Sequence, residues 1–207
     1  MKYVEAVDFE TFWHFSGAEI ELWALIQSRR ESLLNQAAVI GDPSYPLHAT
    51  HGDVRLDQFL LGTDGIVLVD WERYARGDPA RDLGMLTGDV FSTLMYHGFS
   101  KSEPSEQILD DSTYASARVQ DAGRRASEII ASIWAGYVDA TSIAKSHLGE
   151  VQSRAGWNLA WHCIERVSSR AQFQMKLSGL DKALLGIALT AATQPAQTAQ
   201  AFGIGPR

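Results

Sequence analysis

From His51 to Gly84 the chain reads HGDVRLDQFLLGTDGIVLVDWERYARGDPARDLG, and the rest of the sequence takes its meaning from this stretch. An aspartate, Asp53, follows a His-Gly pair, and an amide side chain, Gln58, comes five residues later. Two apolar runs then flank Gly62-Thr63-Asp64-Gly65. Bulky and β-branched residues on either side of an Asp-Gly pair predict a hairpin, over residues 58–61 and 66–69. Its apolar strands are expected to be covered on both faces. Asp70 ends the return strand, and Gly77-Asp78-Pro79 leads into Asp82.

Outward from the hairpin the pattern is helical. Over residues 9–38, Ile20, Trp23, Ala24, Ile26, Leu33 and Leu34 recur near a 3.6 period between charged positions. Gly41-Asp42-Pro43 stops that helix, because proline pushes the residue before it out of the α region. Residues 47–53 read as extended. Downstream helices are expected over 82–96, from 112 or 114 to 147, over 150–176 and over 179–192, with a polar loop at 98–104. Residues 194–207 are rich in Gln, Ala, Gly and Pro and predict a frayed tail. The expected fold is mainly α with a small β-hairpin. Its segments are a helical part (1–46), a loop and hairpin (47–76), a helical body (77–193) and the tail (194–207).

Composition bounds the function. In 207 residues, hydrophobic residues make up 45% and charged residues 21%, as in a globular domain with a sizeable core. The formal charge of −7 argues against nucleic acid or an anionic membrane surface as the main partner. Cys163 is the only cysteine, so no intrachain disulfide forms. With neither a signal-peptide pattern nor a run of about 18 apolar residues, the expectation is a soluble cytoplasmic protein.

His51-Gly52-Asp53, Gln58, Asp70-Trp71-Glu72 and Gly77-Asp78-Pro79-Ala80-Arg81-Asp82 together resemble the aminoglycoside phosphotransferase and choline kinase superfamily. The resemblance covers the C-terminal lobe of that protein-kinase-like fold. It implies ATP and Mg²⁺ as cofactors and a hydroxyl as acceptor. Phosphoryl transfer runs through a loose transition state, so the protein positions groups and neutralises charge. Asp53 matches the catalytic aspartate that orients the attacking hydroxyl, and Asp70 matches the metal-binding aspartate. His51 corresponds to the histidine that braces the loop, and Asp82 to a residue that holds the loop by hydrogen bonds. Asp78 reads as the N-cap of a helix with Pro79 at its first position.

Two positions depart from the family pattern. Gln58 stands where asparagine is usual as the second metal ligand. Its extra methylene displaces the carbonyl oxygen, and Mg²⁺ tolerates little displacement. Arg55 stands where related protein kinases carry a lysine near the transferred phosphate. It could clamp γ-phosphate oxygens as part of the catalytic set, or simply pair with Asp57.

A kinase-like enzyme also needs a glycine-rich cover over the phosphates and a lysine for the α- and β-phosphates. The 50 residues before His51 hold two glycines, Gly17 and Gly41, and one lysine, Lys2. The chain is therefore expected to be a C-terminal lobe whose nucleotide-binding partner comes from elsewhere. One reading is an active phosphotransferase, or the lobe of a split or truncated one. The Arg-Leu-Asp-Gln loop and the Ile-Glu-Arg-Val helix are similar to members of lanthipeptide and thioamitide clusters. These phosphorylate Ser or Thr of a ribosomal precursor peptide (RiPP biosynthesis) ahead of a partner lyase. The alternatives are a pseudokinase lobe that binds a peptide or partner enzyme, and a small-molecule kinase lobe of aminoglycoside or choline type.

Trp157, Trp161, His162 and Glu165 recur at helical spacing and read as a buried aromatic stripe with a satisfied histidine. Cys163 reads as inert core. Arg124, Arg125, Arg166 and Arg170 read as solvated helix faces.

Overall fold

The computed structural model describes residues 3–100 and 111–205. The polar loop expected at 98–104 falls mostly outside them; the helix before it runs through to Ser100. Three short helices open the chain: α1 (Phe9–Trp13), α2 (Gly17–Gln27) and α3 (Arg30–Ile40). A single helix over 9–38 was the expectation. Asp8 caps the start of α1 by accepting the Thr11 N–H, and Ser16 breaks the run by accepting the Glu19 N–H, with Glu19 closing a capping box on Ser16.

Strand β1 (His48–Thr50) follows and pairs antiparallel with β4 (Ala75–Gly77), a pairing between segments too short to carry a sequence pattern. Between them lies the expected hairpin, β2 (Phe59–Gly62) and β3 (Gly65–Leu68), with Leu60 opposite Val67 and Leu61 opposite Ile66. The expectation that its faces are covered is corrected. Leu60 is 52% exposed, Leu61 84%, Ile66 67% and Val67 58%. Directly opposed residues share a face, so both faces present an apolar pair to solvent.

The body is α4 (Pro79–Ser100), α5 (Asp111–Ala140), α6 (Leu148–Ala171), α7 (Gly179–Thr193) and α8 (Pro195–Ala201). The core packs α6 against α4, α7 and α8 around Val90, Leu159, Ile164, Leu184 and Leu185. The closest approach of α4 to α6 is at Gly84, where a Cβ would come within 2.4 Å of Asn158 Cβ. Any side chain there would push α4 off α6. The frayed tail is also corrected. Pro195 starts α8, Ala199 and Ile204 are fully buried, and Phe202 meets Phe91 edge-on at 4.6 Å. Alanine-rich composition here makes a small-faced helix that fits closely. Among the described residues no helix is long and apolar enough to cross a membrane.

Candidate active site

The loop between β1 and β2 is hung from the first turns of α4. Asp82 Oδ2 accepts the His51 N–H at 2.6 Å, and Oδ1 accepts the Gly52 N–H at 2.9 Å. Two backbone donors on one carboxylate fix the chain just before Asp53. Gly52 has φ +83°, and a Cβ there would meet the Arg73 carbonyl at 2.7 Å, so the turn requires glycine. His51 is buried, its Nε2 lies 2.9 Å from the Val69 carbonyl, and its ring packs on Trp71 at 4.8 Å. The histidine thus ties the loop to the end of β3.

Asp53 is half-buried at the tip of this turn, and its carboxylate has no hydrogen-bond or ion-pair partner among the described residues. Val54, next to it, is buried and anchors the turn. Asp70 is exposed and holds φ +69°, ψ +50°, the one non-glycine residue at positive φ among those described. A left-handed non-glycine costs on the order of 1 kcal/mol, a cost that recurs at functional sites. The strand ends there, and the 3₁₀ turn Trp71–Arg73 carries the chain away, with Trp71 Nε1 donating to the Leu68 carbonyl.

Gln58 is 4% exposed and faces inward. Its Oε1 accepts the Arg55 N–H at 2.8 Å, and its Nε2 lies 3.4 Å from Asp70 Oδ2. The amide oxygen is thus turned to the loop, and a nitrogen rather than an oxygen faces Asp70. Arg55 Nε sits 3.7 Å from Asp57 Oδ1 without hydrogen-bond geometry. This is the loose pair with Asp57 that one reading of Arg55 expected. Among the described residues no group of three or more His, Cys, Asp or Glu is placed to hold a metal.

A model described as the phosphotransferase enzyme family matches residues 7–112, just over half of the chain. The chain belongs to the phosphotransferase enzyme family. It is of the aminoglycoside phosphotransferase-like superfamily, whose members generally use ATP and Mg²⁺. Compared with the curated proteins, the chain matches none. The family match spans the loop, the hairpin and α4.

The family site has further supports: the N-cap role of Asp78 was legible in the sequence, while its pairing with Arg154 and the part played by Asp89 were not. Asp78, the residue before α4, accepts the Ala80 N–H and the Tyr45 hydroxyl, and also pairs with Arg154 Nε at 2.6 Å. Arg154 reaches on to the Ile40 and Gly41 carbonyls at the end of α3. Burial pushes the Tyr45 hydroxyl pKa up, and the Asp78 carboxylate adds to this. Asp89 accepts the Leu56 N–H and faces His162. Arg166 approaches Asp89 at 3.8 Å, and Arg170 pairs with Asp181 at 3.1 Å while lying over the Tyr96 ring. Both arginines keep to a solvated face, 42% and 46% exposed, while also pairing inward. The spacing of Asp82 and Asp89, two helical turns apart on one face, was the available signal.

Proposed function

We propose that this chain is the C-terminal lobe of an ATP- and Mg²⁺-dependent phosphotransferase that transfers the γ-phosphoryl group to a hydroxyl. The observation that carries the reading is the unpaired Asp53 carboxylate on a turn whose preceding N–H groups are fixed by Asp82. A carboxylate held this way can orient a hydroxyl and accept its proton as the bond to phosphorus forms. On this reading Arg55, two residues along from Asp53, neutralises charge on the transferred group. The exposed Asp70 carboxylate offers the hard oxygen that Mg²⁺ takes alongside nucleotide phosphates, and one carboxylate is enough for such a site. Magnesium, when bound with ATP, supplies charge neutralisation at the phosphates. Gln58, with its oxygen turned to Arg55, fits a brace for the loop better than a second ligand.

The exposed apolar pairs on both faces of the β2–β3 hairpin support a covering lobe from another part of the enzyme or from a second polypeptide. An isolated two-stranded hairpin is marginal in water, and exposed apolar patches mark interaction surfaces. On this reading the domain spans the whole chain, with residues 47–76 as its catalytic segment. Beside the loop an apolar cleft of about 290 Å³ is lined by His51, Val54, Trp71, Leu83, Ile133 and Tyr137. Its lining suits the nonpolar body of a peptide acceptor better than a polycationic sugar, in keeping with a Ser/Thr-bearing precursor peptide and a partner lyase. The inward Gln58 oxygen favours one alternative, a pseudokinase lobe that binds peptide without transfer.

Titration calorimetry with Mg-ATP separates these readings, run on the chain alone and with its candidate lobe-bearing partner. Saturable binding in either case, weakened at least tenfold by Asp70→Asn, is the expected result. Absence of nucleotide binding in both cases rejects the enzyme and leaves the pseudokinase.

A further inference from the structure

Asp89 lies on α4 with its side chain buried at 7% exposure, and His162 of α6 is buried against it at 4%. Asp89 Oδ2 accepts the Leu56 N–H at 2.9 Å, and Oδ1 faces His162 Nε2 at 3.2 Å. Arg166 Nε stands 3.8 Å from the same Oδ1. Burying a carboxylate costs several kcal/mol unless it is paired and hydrogen-bonded. Here the partners are a histidine, an arginine and one N–H of the loop that carries Asp53. Gly88 lets α6 come close enough to bring His162 to Asp89.

We propose that Asp89 is a positioning residue for phosphoryl transfer, fixing the Asp53 turn from its far side as Asp82 fixes it from the near side. The inference rests on the phosphotransferase reading. Asp82 holds the two N–H groups immediately before Asp53, and Asp89 holds the N–H three residues after it. Both carboxylates project from one helix, so the turn cannot rotate about either end without losing a charge-assisted bond. His162 and Arg166 hold the Asp89 carboxylate in place from α6, which makes the α4–α6 contact part of the site. Burial raises the Asp89 carboxyl pKa, but the bonds from His162 and Leu56 outweigh it and keep the group ionised.

The test uses the full chain labelled with ¹⁵N, comparing wild type with Asp89→Ala and Asp89→Asn. In wild type the Leu56 amide is protected from hydrogen exchange. Asp89→Ala raises its exchange about 10- to 100-fold, the weight of a hydrogen bond to a charged group, with α7 amides unchanged. Asparagine keeps an acceptor oxygen and restores most of the protection. Mg-ATP turnover, with water as acceptor, falls on the order of 100-fold in kcat for Asp89→Ala, with KM for ATP within about twofold. An unprotected Leu56 in wild type overturns the proposal even if Asp89→Ala does not fold. So does an exchange increase spread evenly over α4, α6 and α7, or an unchanged kcat. A wild type that protects Leu56 but neither binds nor turns over Mg-ATP, alone or with its covering lobe, refutes the phosphotransferase reading, and with it the catalytic part of this role.

Discussion

Gln58 Nε2 faces Asp70 Oδ2 at 3.4 Å across the base of the hairpin. With Oε1 accepting the Arg55 N–H, the amide spans from the loop after Asp53 to the end of β3. Gln58→Ala leaves the part-buried Arg55 N–H without its acceptor. The expected cost is about 1–3 kcal/mol, read from urea unfolding. A cost below about 0.5 kcal/mol would mean that Gln58 is not a brace.

Arg154 and Asp78 form the most enclosed arginine–carboxylate pair among the described residues, with side chains 9% and 15% exposed. Removing one partner of such a pair strands the other charge. Arg154→Met should destabilise the fold by about 3 kcal/mol and also free the Ile40 and Gly41 carbonyls at the end of α3. Chemical denaturation of the variant checks this. A midpoint equal to wild type would show that the Tyr45 hydroxyl and the Ala80 N–H alone satisfy Asp78.

Burial would raise the Asp181 carboxyl pKa, but bonds from Ser178, Tyr96 and Arg170 outweigh it and hold it below the ordinary aspartate range. A depressed folded-state value contributes stability above the unfolded value, about 3.9, and loses it as pH falls through the folded value. Stability should therefore drop as pH falls below about 4. Asp181→Asn should be less stable at pH 7 and show a flatter acid limb. Unfolding free energy measured from pH 2 to 7 decides; parallel curves for the two proteins would contradict the assignment.

The hairpin, the α4 start and the order of the downstream helices were legible because each rests on local chemistry. The Asp-Gly turn, Pro79 after Asp78, and apolar periodicity are all within reach of a short window. The exposure of Leu61 and Ile66 was not legible, since apolar strands read the same whether buried by this chain or by something else. Nor was the role of Asp89, which depends on α6 returning more than 70 residues later to bring His162 beside it. Gln58 illustrates the limit within the site. The sequence placed it at the metal-ligand position, and only the fold reveals that its oxygen is turned to the Arg55 N–H.

Cys163 is fully buried on α6, and burial pushes its thiol up to about 12. The thiolate is the reactive form, so the native protein should not react with a disulfide reagent at pH 8. It should release one equivalent of chromophore only on unfolding. Rapid labelling of the folded chain would show that α6 opens locally.

The central claim is that Asp53 orients the acceptor hydroxyl in phosphoryl transfer. Its most direct test is transfer from γ-labelled ATP, with the covering lobe present where calorimetry shows that binding needs it, comparing wild type with Asp53→Ala. Asp53 makes no hydrogen bond or ion pair within the described fold, so the variant should keep the wild-type circular dichroism and melting temperature. Transfer should fall by about 10²- to 10⁴-fold, the range for losing a general base. Transfer by Asp53→Ala at the wild-type rate would contradict the account.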